Sequence, residues 1–533
     1  MRRWNGWGDD TFTYELPRSA LRYLRSVVGP ATPPRDAPLE SVLEEVAESR
    51  LLEHPLICTD PEARLRHARG QSFPDWVALR SGQIGAFPDG VAYPQNTGEV
   101  REILAYARER DLQIIPYGGG TSVVGHVNPL SDADPTLTMD LRRMNGLCAF
   151  NRTSQLATFG AGVTGPDLEA QLRARGYTLG HFPQSFEYST LGGWIATRSS
   201  GQQSLGYGRI EKLFAGGRLE SPEGTLEING DVPASAAGPD LREVLLGSEG
   251  RLGIITEATV RVAHLPEQEE FHALFFPNFQ AGYAAVREIM QANIPLSMLR
   301  LSTPCETETT LTLAGHEILL GALKKYLTLR GAGSQRCMLI LGVTGREGLI
   351  ESSREEAFQI AGEHGAIQVG QTFGNTWHKN RFRTPYLRNT LWDQGYAVDT
   401  LETATSWDKV PALVDAIEEA LRLALVHLDE FVHVFTHLSH LYAYGSSIYT
   451  QYIFRLADTP EETLHRWERL KQAASEVIIE QGATITHQHG IGLDHKPYLA
   501  AEKGDLGMDA LRALARTFDP KGIMNSGKLL SVD

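Results

Sequence analysis

An α+β protein with several regions is the fold class that the sequence predicts, and three observations support it. Residues 1–83 combine helical stretches with a Pro-rich linker, VVGPATPPRDAP. Residues 84–265 alternate short apolar strands, glycine turns and amphipathic helices. Residues 266–533 contain candidate strand pairs flanked by helices, which favours an α+β cap domain with an antiparallel sheet.

Each region has its own periodicity. LESVLEEVAESRLLEHPL, from Leu39 to Leu56, has Leu and Val at helical spacing, so we predict a helical extension packed on the body, with a functional lid as the alternative. In the second region, the helix after LATFGAGVTG places Leu168 and Leu172 on one face. In the third, FHALFFPNF and RCMLILGVTG are strand candidates and QAGYAAVREIMQANI is a helix candidate.

The composition excludes several classes of protein. A chain of 533 residues with 42% hydrophobic content can bury a large core. Its net charge of -15 and its lack of a Lys and Arg stripe argue against a nucleic-acid partner. The four cysteines form no CxxC pair, which fits a reducing cytoplasm. We expect no secretory leader and no spanning segment, and we leave peripheral membrane contact open.

Successive glycines follow an apolar strand in PYGGGTSVVGH, from Pro116 to His126. Glycines let backbone N–H groups approach an anion closely, and a pyrophosphate is the obvious candidate. The segment is neither GxGxxG nor GxxxxGK[ST], so Rossmann and P-loop folds are not indicated. A plain tight turn explains the glycines about as well.

The stretch THQHGIGLDH, Thr486 to His495, raises a second question. On a strand, His487 and His489 would project into one space, where they could bind a metal or act as paired bases. A polar turn made flexible by its glycines is the alternative.

Three further glycine-containing segments follow the first glycine loop along the chain. They are PQSFEYSTLGGWIATRSSG (183–201), GSEGRLGIITEATV (247–260) and FDPKGIMNSGKLL (518–530). In this order the four segments resemble the FAD signature of the PCMH-type vanillyl-alcohol oxidase superfamily. Within it, the chain resembles the alkyldihydroxyacetonephosphate synthases, in a similarity that begins at RWNGWG and includes PYLRNTLWDQG, LETATSWDKV and SSIYTQYIF.

The resemblance implies a two-subdomain FAD-binding domain at 84–265 and a cap or substrate domain at 266–533, with 480–533 returning to the flavin. Covalent relatives carry a histidine directly after the glycines, where this chain has Thr121, so we expect non-covalent FAD. The implied cofactor-binding residues are Pro116, Gly118, Gly119, Gly120, Thr121, Ser122, Pro183, Ser185, Glu187, Ser189, Thr190, Gly193, Thr197, Ser199, Ser200, Glu249, Gly250, Gly253 and Ile255.

The resemblance also implies that His487, Gln488 and His489 lie over the flavin ring as catalytic, proton-handling groups. The synthases have three consecutive histidines there, and Gln488 cannot act as a base near neutral pH, so a neighbour would have to act instead. No metal is expected, because the sequence shows no evident acidic partner. His437, His440, His487 and His489 could nevertheless supply imidazoles to a metal.

Three more positions match the family one by one. Arg388 matches the headgroup-binding arginine, with a surface salt bridge as the alternative. Arg300 matches an arginine near the flavin and the substrate, with a helix-end charge as the alternative. Tyr449 matches the synthase acid/base, and the alternative is a half-buried strand aromatic.

The implied function is exchange of the acyl chain of acyl-dihydroxyacetone phosphate for a fatty alcohol through a flavin N5 adduct, a step of ether-lipid synthesis. Gln488 favours the alternative, an FAD-linked dehydrogenase or oxidase of a small anionic alcohol such as a D-2-hydroxyacid or a glycerol phosphate. A non-enzymatic flavoprotein is a third class, and the concentration of His, Tyr and Arg argues against it. The expected partners are an anionic small-molecule or lipid-like substrate and a second copy of the chain.

Overall fold

The computed structural model describes residues 2–131, 133–315 and 317–531. Three principal sheets covered by helices confirm the predicted α+β class. The described part of the N-terminal region contains four helices, one short strand and long irregular segments between them. Its elements are α1 (Arg18–Val27), α2 (Leu39–Glu44), β1 (Ile57–Cys58), α3 (Pro61–Arg66) and α4 (Phe73–Ser81).

The helix predicted from Leu39 to Leu56 is wrong beyond Glu44, where α2 ends. Arg50 gives the physical reason, because its guanidinium donates two hydrogen bonds of 2.7 Å to the carboxylate of Asp89. Asp89 also accepts the backbone N–H of Thr136 at 2.8 Å. This bidentate pair holds the segment in an irregular path beside the first sheet.

The first sheet has the strand order β1-β2-β4-β3. Strands β2 and β3 run parallel to β4, while β1 is antiparallel to β2. Parallel strands end at one edge, so the loop that follows β3 and the turn that follows β4 lie side by side. The elements are β2 (Gly90–Ala92), α5 (Thr97–Glu109), β3 (Gln113–Tyr117) and β4 (Thr136–Asp140).

The second sheet is antiparallel with the order β5-β6-β10-β8-β9, and β7 pairs with β11 beside it. Leu168 and Leu172 are fully buried, which confirms the predicted helix face. The elements are β5 (Leu147–Asn151), β6 (Leu156–Gly160), α6 (Gly165–Arg173), β7 (Tyr177–Thr178), α7 (Leu191–Thr197), α8 (Ser204–Tyr207), α9 (Ile210–Leu213), β8 (Phe214–Ser221), β9 (Gly224–Ile228), α10 (Arg242–Leu245), β10 (Ile254–Arg261) and β11 (Ala263–His264).

The third sheet is antiparallel throughout, as predicted, with the order β15-β12-β14-β13-β17-β19-β16 and with β18 beside β19. The elements are β12 (Gln268–Phe276), α11 (Phe279–Gln291), β13 (Met298–Ser302), α12 (Pro304–Leu313), α13 (Glu317–Leu329), β14 (Cys337–Gly345), α14 (Glu347–Glu363), β15 (Ile367–Gln368), α15 (Thr372–Asn380), α16 (Leu387–Asp393), β16 (Tyr396–Ser406), α17 (Val410–Leu423), β17 (His433–Leu438), β18 (Leu441–Tyr442), β19 (Gly445–Arg455), α18 (Pro460–Glu480) and α19 (Leu499–Phe518).

Strand β14 lies inside this sheet and is apolar on both faces. Leu339 and Leu341 belong to the large core that includes residues of α11, α17 and α18. Met338 and Ile340 point the other way, into the smaller core beneath α12 and α13. Alternate residues of a strand face opposite sides, so covering both faces requires the continuous apolar run CMLILGV.

After α19 the chain returns to the first sheet. The backbone N–H of Ile114 donates to Ile523 O at 2.7 Å, and the N–H of Asn525 donates to Ile114 O at 2.7 Å. Residues 523–525 therefore run parallel to β3 at the free side of that strand. The domain boundaries after residues 83 and 265 stay a prediction. In the ranges that the structure covers, no helix combines the length and apolar character needed to cross a bilayer.

The amide of Asn389 fastens residues near the N-terminus to the third-sheet region. It accepts the backbone N–H of Trp7 at 3.1 Å and donates to Trp7 O at 2.9 Å. Asn389 is 5% exposed, so water cannot replace either bond.

Replacing Asn389 with Ala should therefore leave two buried backbone groups of Trp7 unpaired. We expect a loss of about 1 to 3 kcal/mol in the free energy of unfolding, measured by urea titration, and faster proteolytic cleavage before Asp9. Asn375→Ala, at an exposed position of α15, is the matched control. Equal stability and cleavage in the two variants would contradict this anchoring role.

Candidate active site

The loop after β3 has the properties of an anion-binding cradle. No backbone N–H from Gly118 to Val123 has an acceptor among the described residues. Gly119 and Gly120 are buried, and buried backbone donors are almost always paired in folded proteins. The loop thus presents donors to a ligand, which favours the anion-binding interpretation over a plain tight turn.

The glycines of this loop are also required by packing. A Cβ on Gly118 would lie 2.2 Å from Thr190 Oγ1, and one on Gly119 would lie 1.8 Å from Tyr188 O. Gly120 has a φ of +63°, in the left-handed region. The loop and residues 188–190, two segments that the sequence singled out, therefore lie in direct contact.

The remaining predicted cofactor residues fall into two groups. Ser200 is buried and its Oγ has no hydrogen-bond partner in the described ranges, so it has a free polar atom for a ligand. Glu187 likewise has an unpartnered Oε2, and burial raises the pKa of its carboxyl. The others make local bonds or contacts within the protein: Pro183, Ser185, Ser189, Thr190, Gly193, Thr197 and Ser199 in or near α7, and Pro116 with Gly250.

Glu249 joins the glycine loop to the histidine segment. Its carboxylate accepts the backbone N–H groups of Ile491 at 2.6 Å and Gly492 at 2.8 Å. It also lies 2.9 Å from Nε2 of His126, whose Nδ1 lies 2.8 Å from the hydroxyl of Ser122. The Glu249 carboxylate therefore positions the glycine loop and the histidine segment. The residues next to it, and not the carboxylate itself, are available to contact a ligand.

Gly253 and Ile255 continue this segment into β10. Gly253 adopts a φ of +150°, and a Cβ there would lie 2.4 Å from Glu220 O in β8. Ile255 is buried in the core of the second sheet. Both residues therefore hold the loop that contains Glu249 against the second sheet.

On the opposite side, strand register sets a row of polar side chains on the third sheet. Glu402 of β16 pairs with Tyr449 of β19, which pairs with His437 of β17. Residues directly opposite in neighbouring strands share a face. The rings of His437 and Tyr449 stack with centroids 4.8 Å apart. Arg300 lies in β13, so the alternative interpretation of this residue, a charge at a helix end, is wrong.

Arg300 is held by a buried carboxylate. Its Nη2 donates to Glu306 Oε1 at 2.8 Å and lies 3.2 Å from His437 Nδ1. Burial alone would raise the pKa of Glu306, but Arg300 and then His437 outweigh it and lower that pKa to about 2. Burial lowers the pKa of His437 itself, so at neutral pH Arg300 supplies the positive charge.

His487 is oriented by three groups. Its Nε2 lies 2.7 Å from the hydroxyl of Tyr442 and 3.1 Å from Nη1 of Arg209. A guanidinium can only donate, so Nε2 accepts and Nδ1 carries the hydrogen. Nδ1 faces Glu402 Oε1 at 3.1 Å. Burial alone would raise the pKa of Glu402, and the nearby His487 holds it below its usual range.

This cluster corrects one expectation from the sequence. Glu402 is the acidic partner that the sequence did not make evident, and the ligand atoms of Glu402, His440 and His487 lie within 4.8 Å of one another. A metal at His487 Nδ1 would require a hydrogen on Nε2, facing the Arg209 N–H groups, which disfavours metal binding in this geometry. Residue 485 and residues 487–489 form bends, which agrees with the polar-turn alternative for this stretch and not with the strand.

Because of those bends, His489 does not share the space of His487. Its ring lies 6.0 Å from that of Tyr449, and burial lowers its pKa below 6.5. Burial raises the pKa of Tyr449, so the phenol stays protonated near neutral pH. Gln488 makes no side-chain hydrogen bond within the described residues. Near neutral pH the lowered pKa leaves the His489 ring neutral, and the raised pKa leaves the Tyr449 phenol protonated.

Arg388 is half-buried, its Nη2 is inaccessible to solvent, and it forms no salt bridge among the described residues, so its surface salt-bridge alternative is wrong. Its guanidinium lies 4.3 Å from the Trp76 ring centre and donates to Gln71 O at 2.7 Å. Its Nη2 has no acceptor in the described part of the chain. Burial lowers the pKa of Arg388 to about 10, a cost that Asp399 and Asp75 only partly offset. The group stays cationic and has a donor free for an anion.

Comparison with known proteins agrees with these two halves of the site. Residues 88–228 match the family described as an FAD binding domain, and residues 265–529 match the C-terminal domain of FAD linked oxidases. An alkyldihydroxyacetonephosphate synthase from Dictyostelium discoideum is 33% identical over 88% of this chain and 78% of its own length. The chain belongs to the alkyldihydroxyacetonephosphate synthase family.

Solved structures support the same assignment. An alkyldihydroxyacetonephosphate synthase matches with a TM-score of 0.83 at 29% identity, covering 98% of each chain. p-Cresol methylhydroxylase matches with a TM-score of 0.69 at 13% identity, covering 96% of each chain, and shows the shared fold. The PCMH-type fold and the FAD cofactor are thereby confirmed, and this member of the synthase family is an FAD-dependent enzyme.

Several residues of the site escaped sequence reasoning. His126 and Arg209 lie in no motif that names their role, although His126 follows the glycines by a few residues. The sequence contains one indication for each of the two buried glutamates. Glu306 follows Arg300 closely, and Glu402 lies in LETATS, within a segment shared with the synthases. Strand register was needed to place Glu402 opposite Tyr449.

Glu306→Gln should change how stability depends on pH. The lowered pKa of Glu306 means that its carboxylate stabilises the fold above about 4.5 and loses this effect as pH falls towards about 2. We expect the wild-type urea midpoint to fall more steeply than that of the variant between pH 4.5 and pH 2. At pH 7 the variant should be less stable by about 3 to 5 kcal/mol, because Arg300 loses its buried partner.

Glu308→Gln is the control, because it removes a half-exposed carboxylate from the same helix. Parallel pH profiles for wild type and Glu306→Gln would show that this ion pair does not contribute as described.

Proposed function

We propose that this enzyme exchanges the acyl chain of acyl-dihydroxyacetone phosphate for a fatty alcohol, giving an ether lipid precursor. The observation that carries the proposal is Arg388. It offers a guanidinium with an unused donor inside the protein, where a phosphate would satisfy both its charge and its hydrogen-bonding capacity. The relatives named as synthases support the same substrate class.

The residues of the cradle fit non-covalent FAD. The unpaired N–H groups from Gly118 to Val123 suit its pyrophosphate, and the free Ser200 hydroxyl adds a polar contact. Thr121 has no nucleophilic ring nitrogen for a covalent link. FAD would supply the electrophilic centre of the exchange, while the protein binds, orients and moves protons.

Proton handling falls to His489 and Tyr449 in this proposal. His489, whose pKa is lowered by burial, is neutral at pH 7 and can accept the proton that leaves the substrate carbon. Tyr449 stays protonated and can donate to the departing fatty acid or hold the entering alcohol. His487 is an orienting residue, because Glu402 and Arg209 fix its ring.

A second candidate, the FAD-linked dehydrogenase or oxidase of a small anionic alcohol, is favoured by Gln488. The synthase family places a histidine at this position, and the Gln488 amide cannot accept a proton. The match of residues 265–529 to FAD linked oxidases is compatible with it. Arg388 would then bind the carboxylate or phosphate of the alcohol.

We also propose that the protein contacts a lipid surface through α13. The outer face of this helix exposes apolar side chains, with Ile318 at 92%, Leu319 at 67% and Leu329 at 87% exposure. The basic residues Lys325, in the second half of α13, and Arg330, directly after it, are also exposed. Apolar and basic groups together favour the interface of an anionic bilayer, where a lipid substrate resides.

An anaerobic titration of the flavin absorbance should distinguish the two reactions. With acyl-dihydroxyacetone phosphate we expect bleaching that a fatty alcohol reverses, together with release of an ether product. Under the dehydrogenase alternative, a D-2-hydroxyacid or glycerol phosphate would instead reduce the flavin fully, and an electron acceptor would restore it. Loss of colour only with the hydroxyacid would overturn the synthase proposal.

Arg388→Met is the companion variant. It should abolish bleaching by the phosphate-bearing substrate and leave bound FAD unchanged, because Met keeps the packing on Trp76 without the charge. Lys379→Met, an exposed cation of α15, should behave like wild type. Normal kinetics in Arg388→Met would remove this residue from the substrate site.

The lipid contact predicts that Leu319→Glu combined with Leu329→Glu reduces flotation with vesicles of phosphatidylcholine and phosphatidylglycerol. Two added carboxylates would repel the anionic surface and remove apolar area. Leu423→Glu, at another exposed leucine, is the control. If wild type does not float, or if the variant floats equally well, α13 is not the contact.

A further inference from the structure

A cavity of about 410 Å³ lies between the N-terminal residues, α3 and the ends of β3 and β4. Its lining includes Arg3, Trp4, Tyr93, Tyr117 and Arg142. A volume of this size can hold a small metabolite, since ligand pockets in proteins span about 300 to 1,000 Å³. None of these five side chains takes part in the flavin cradle or in the substrate site described above.

The lining of this cavity carries an excess of positive charge, although the chain as a whole is acidic. Among the described residues, five arginines and two carboxylates line it, in a protein with a net charge of -15. Both carboxylates are used locally. Asp60 accepts the backbone N–H of Ala63 at 3.0 Å at the start of α3, and Glu62 pairs with Arg66 at 2.7 Å. An anion is therefore the ligand that the cavity favours.

Two of these arginines have only neutral partners. Arg2 donates to Gly119 O at 2.5 Å, and Arg3 donates to Phe12 O at 3.4 Å. Neither guanidinium forms an ion pair within the described ranges, and the Nε of Arg3 is inaccessible to solvent and has no acceptor there. Arg2 and Arg3 thus supply two positive charges that no carboxylate of the described chain contacts.

Tyr117 adds a hydroxyl that has no partner inside the protein. The residue is 3% exposed, and its hydroxyl makes no hydrogen bond among the described residues. The ring packs against His67 with centroids 4.5 Å apart, and the hydroxyl lies against Gly120, where an added Cβ would be 2.0 Å away. Buried hydroxyls are normally hydrogen-bonded, so this one is available to a ligand in the cavity.

Arg2 links the cavity to the glycine loop. Besides its bond to Gly119 O, its guanidinium carbon lies 5.1 Å from the ring centre of Tyr188, whose backbone oxygen packs against the same glycine. Gly120 lines the cavity itself. A contact that fixes Arg2 therefore also restrains the loop that presents donors to the cofactor.

We propose that this cavity binds a small phosphate monoester and that the bound anion holds the N-terminal residues against the glycine loop. At pH 7 a phosphate monoester carries about 1.5 to 2 negative charges and three acceptor oxygens, which match two guanidinium groups and one hydroxyl. The rings of Trp4 and Tyr93 can pack on its organic part. A carboxylate has a single charge and would leave one guanidinium uncompensated. The inference rests neither on the reaction nor on Arg388.

The test uses the FAD-loaded Arg388→Met protein, so that the proposed substrate site does not contribute, and titrates it with phenyl phosphate by calorimetry. Phenyl phosphate should bind, and benzoate should bind more weakly because it has a single charge. Adding Arg3→Met should weaken the binding of phenyl phosphate by about 10- to 100-fold, since a charge-assisted contact is lost. Adding Tyr117→Phe, which removes only a hydroxyl, should weaken it by about 3- to 10-fold.

Arg18→Met is the matched control, because it removes an exposed arginine of the same N-terminal region. Thermal unfolding shows whether each variant is folded. Saturating phenyl phosphate should also slow the release of FAD after dilution, followed by flavin fluorescence. This effect should be absent when Arg3→Met is present and unchanged when Arg18→Met is present.

The phosphate site would be overturned by a lack of binding to the Arg388→Met protein, by equal affinity for benzoate and phenyl phosphate, or by equal affinity in folded Arg3→Met and control proteins. An unchanged rate of FAD release would overturn the link to the glycine loop. Failure of the proposed function is a separate outcome, in which the flavin titrations with both substrate classes are silent while phenyl phosphate still binds in an Arg3-dependent way.

Discussion

The carboxylate of Glu249 is the interaction on which the whole site depends. It binds the backbone of the histidine segment through Ile491 and Gly492 and contacts His126 beside the glycine loop. The backbone carbonyl of the same residue accepts a hydrogen bond from the Asn525 side chain at 2.7 Å. Segments distant in sequence thus meet at one residue. A carboxylate suits this task, because its oxygens accept several N–H groups in fixed directions.

The opposite wall of the site depends on the regular pleat of the third sheet. Antiparallel pairing places Glu402, Tyr449 and His437 in one row, at spacings that no loop could hold as rigidly. The sheet also buries two carboxylates, Glu306 and Glu402, each of which faces cationic or imidazole partners. Such pairs add little net stability, because desolvation consumes most of their attraction. They fix the orientation of the residues that face the ligand.

Local patterns were sufficient to predict most of the elements, whereas the cofactor was predicted from the resemblance of four segments to a known family. Glycine spacing marked the cradle, helical spacing placed Leu168 and Leu172, and apolar runs marked the strands of the cap. The helix from Leu39 failed because a tertiary ion pair, Arg50 with Asp89, overrides its local preference. The role of Glu402 could not be predicted, since it depends on strand register.

The return of residues 523–525 to β3 has a consequence for biosynthesis. During translation β3 emerges early, whereas the segment that covers its free side is made 410 residues later, as the separation of Asp111 and Lys521 illustrates. Until then the nascent chain carries an open strand edge, the kind of surface that pairs with other chains and attracts chaperones. The glycine loop after β3 and the turn after residues 523–525 can therefore come together only when almost the whole chain has been made.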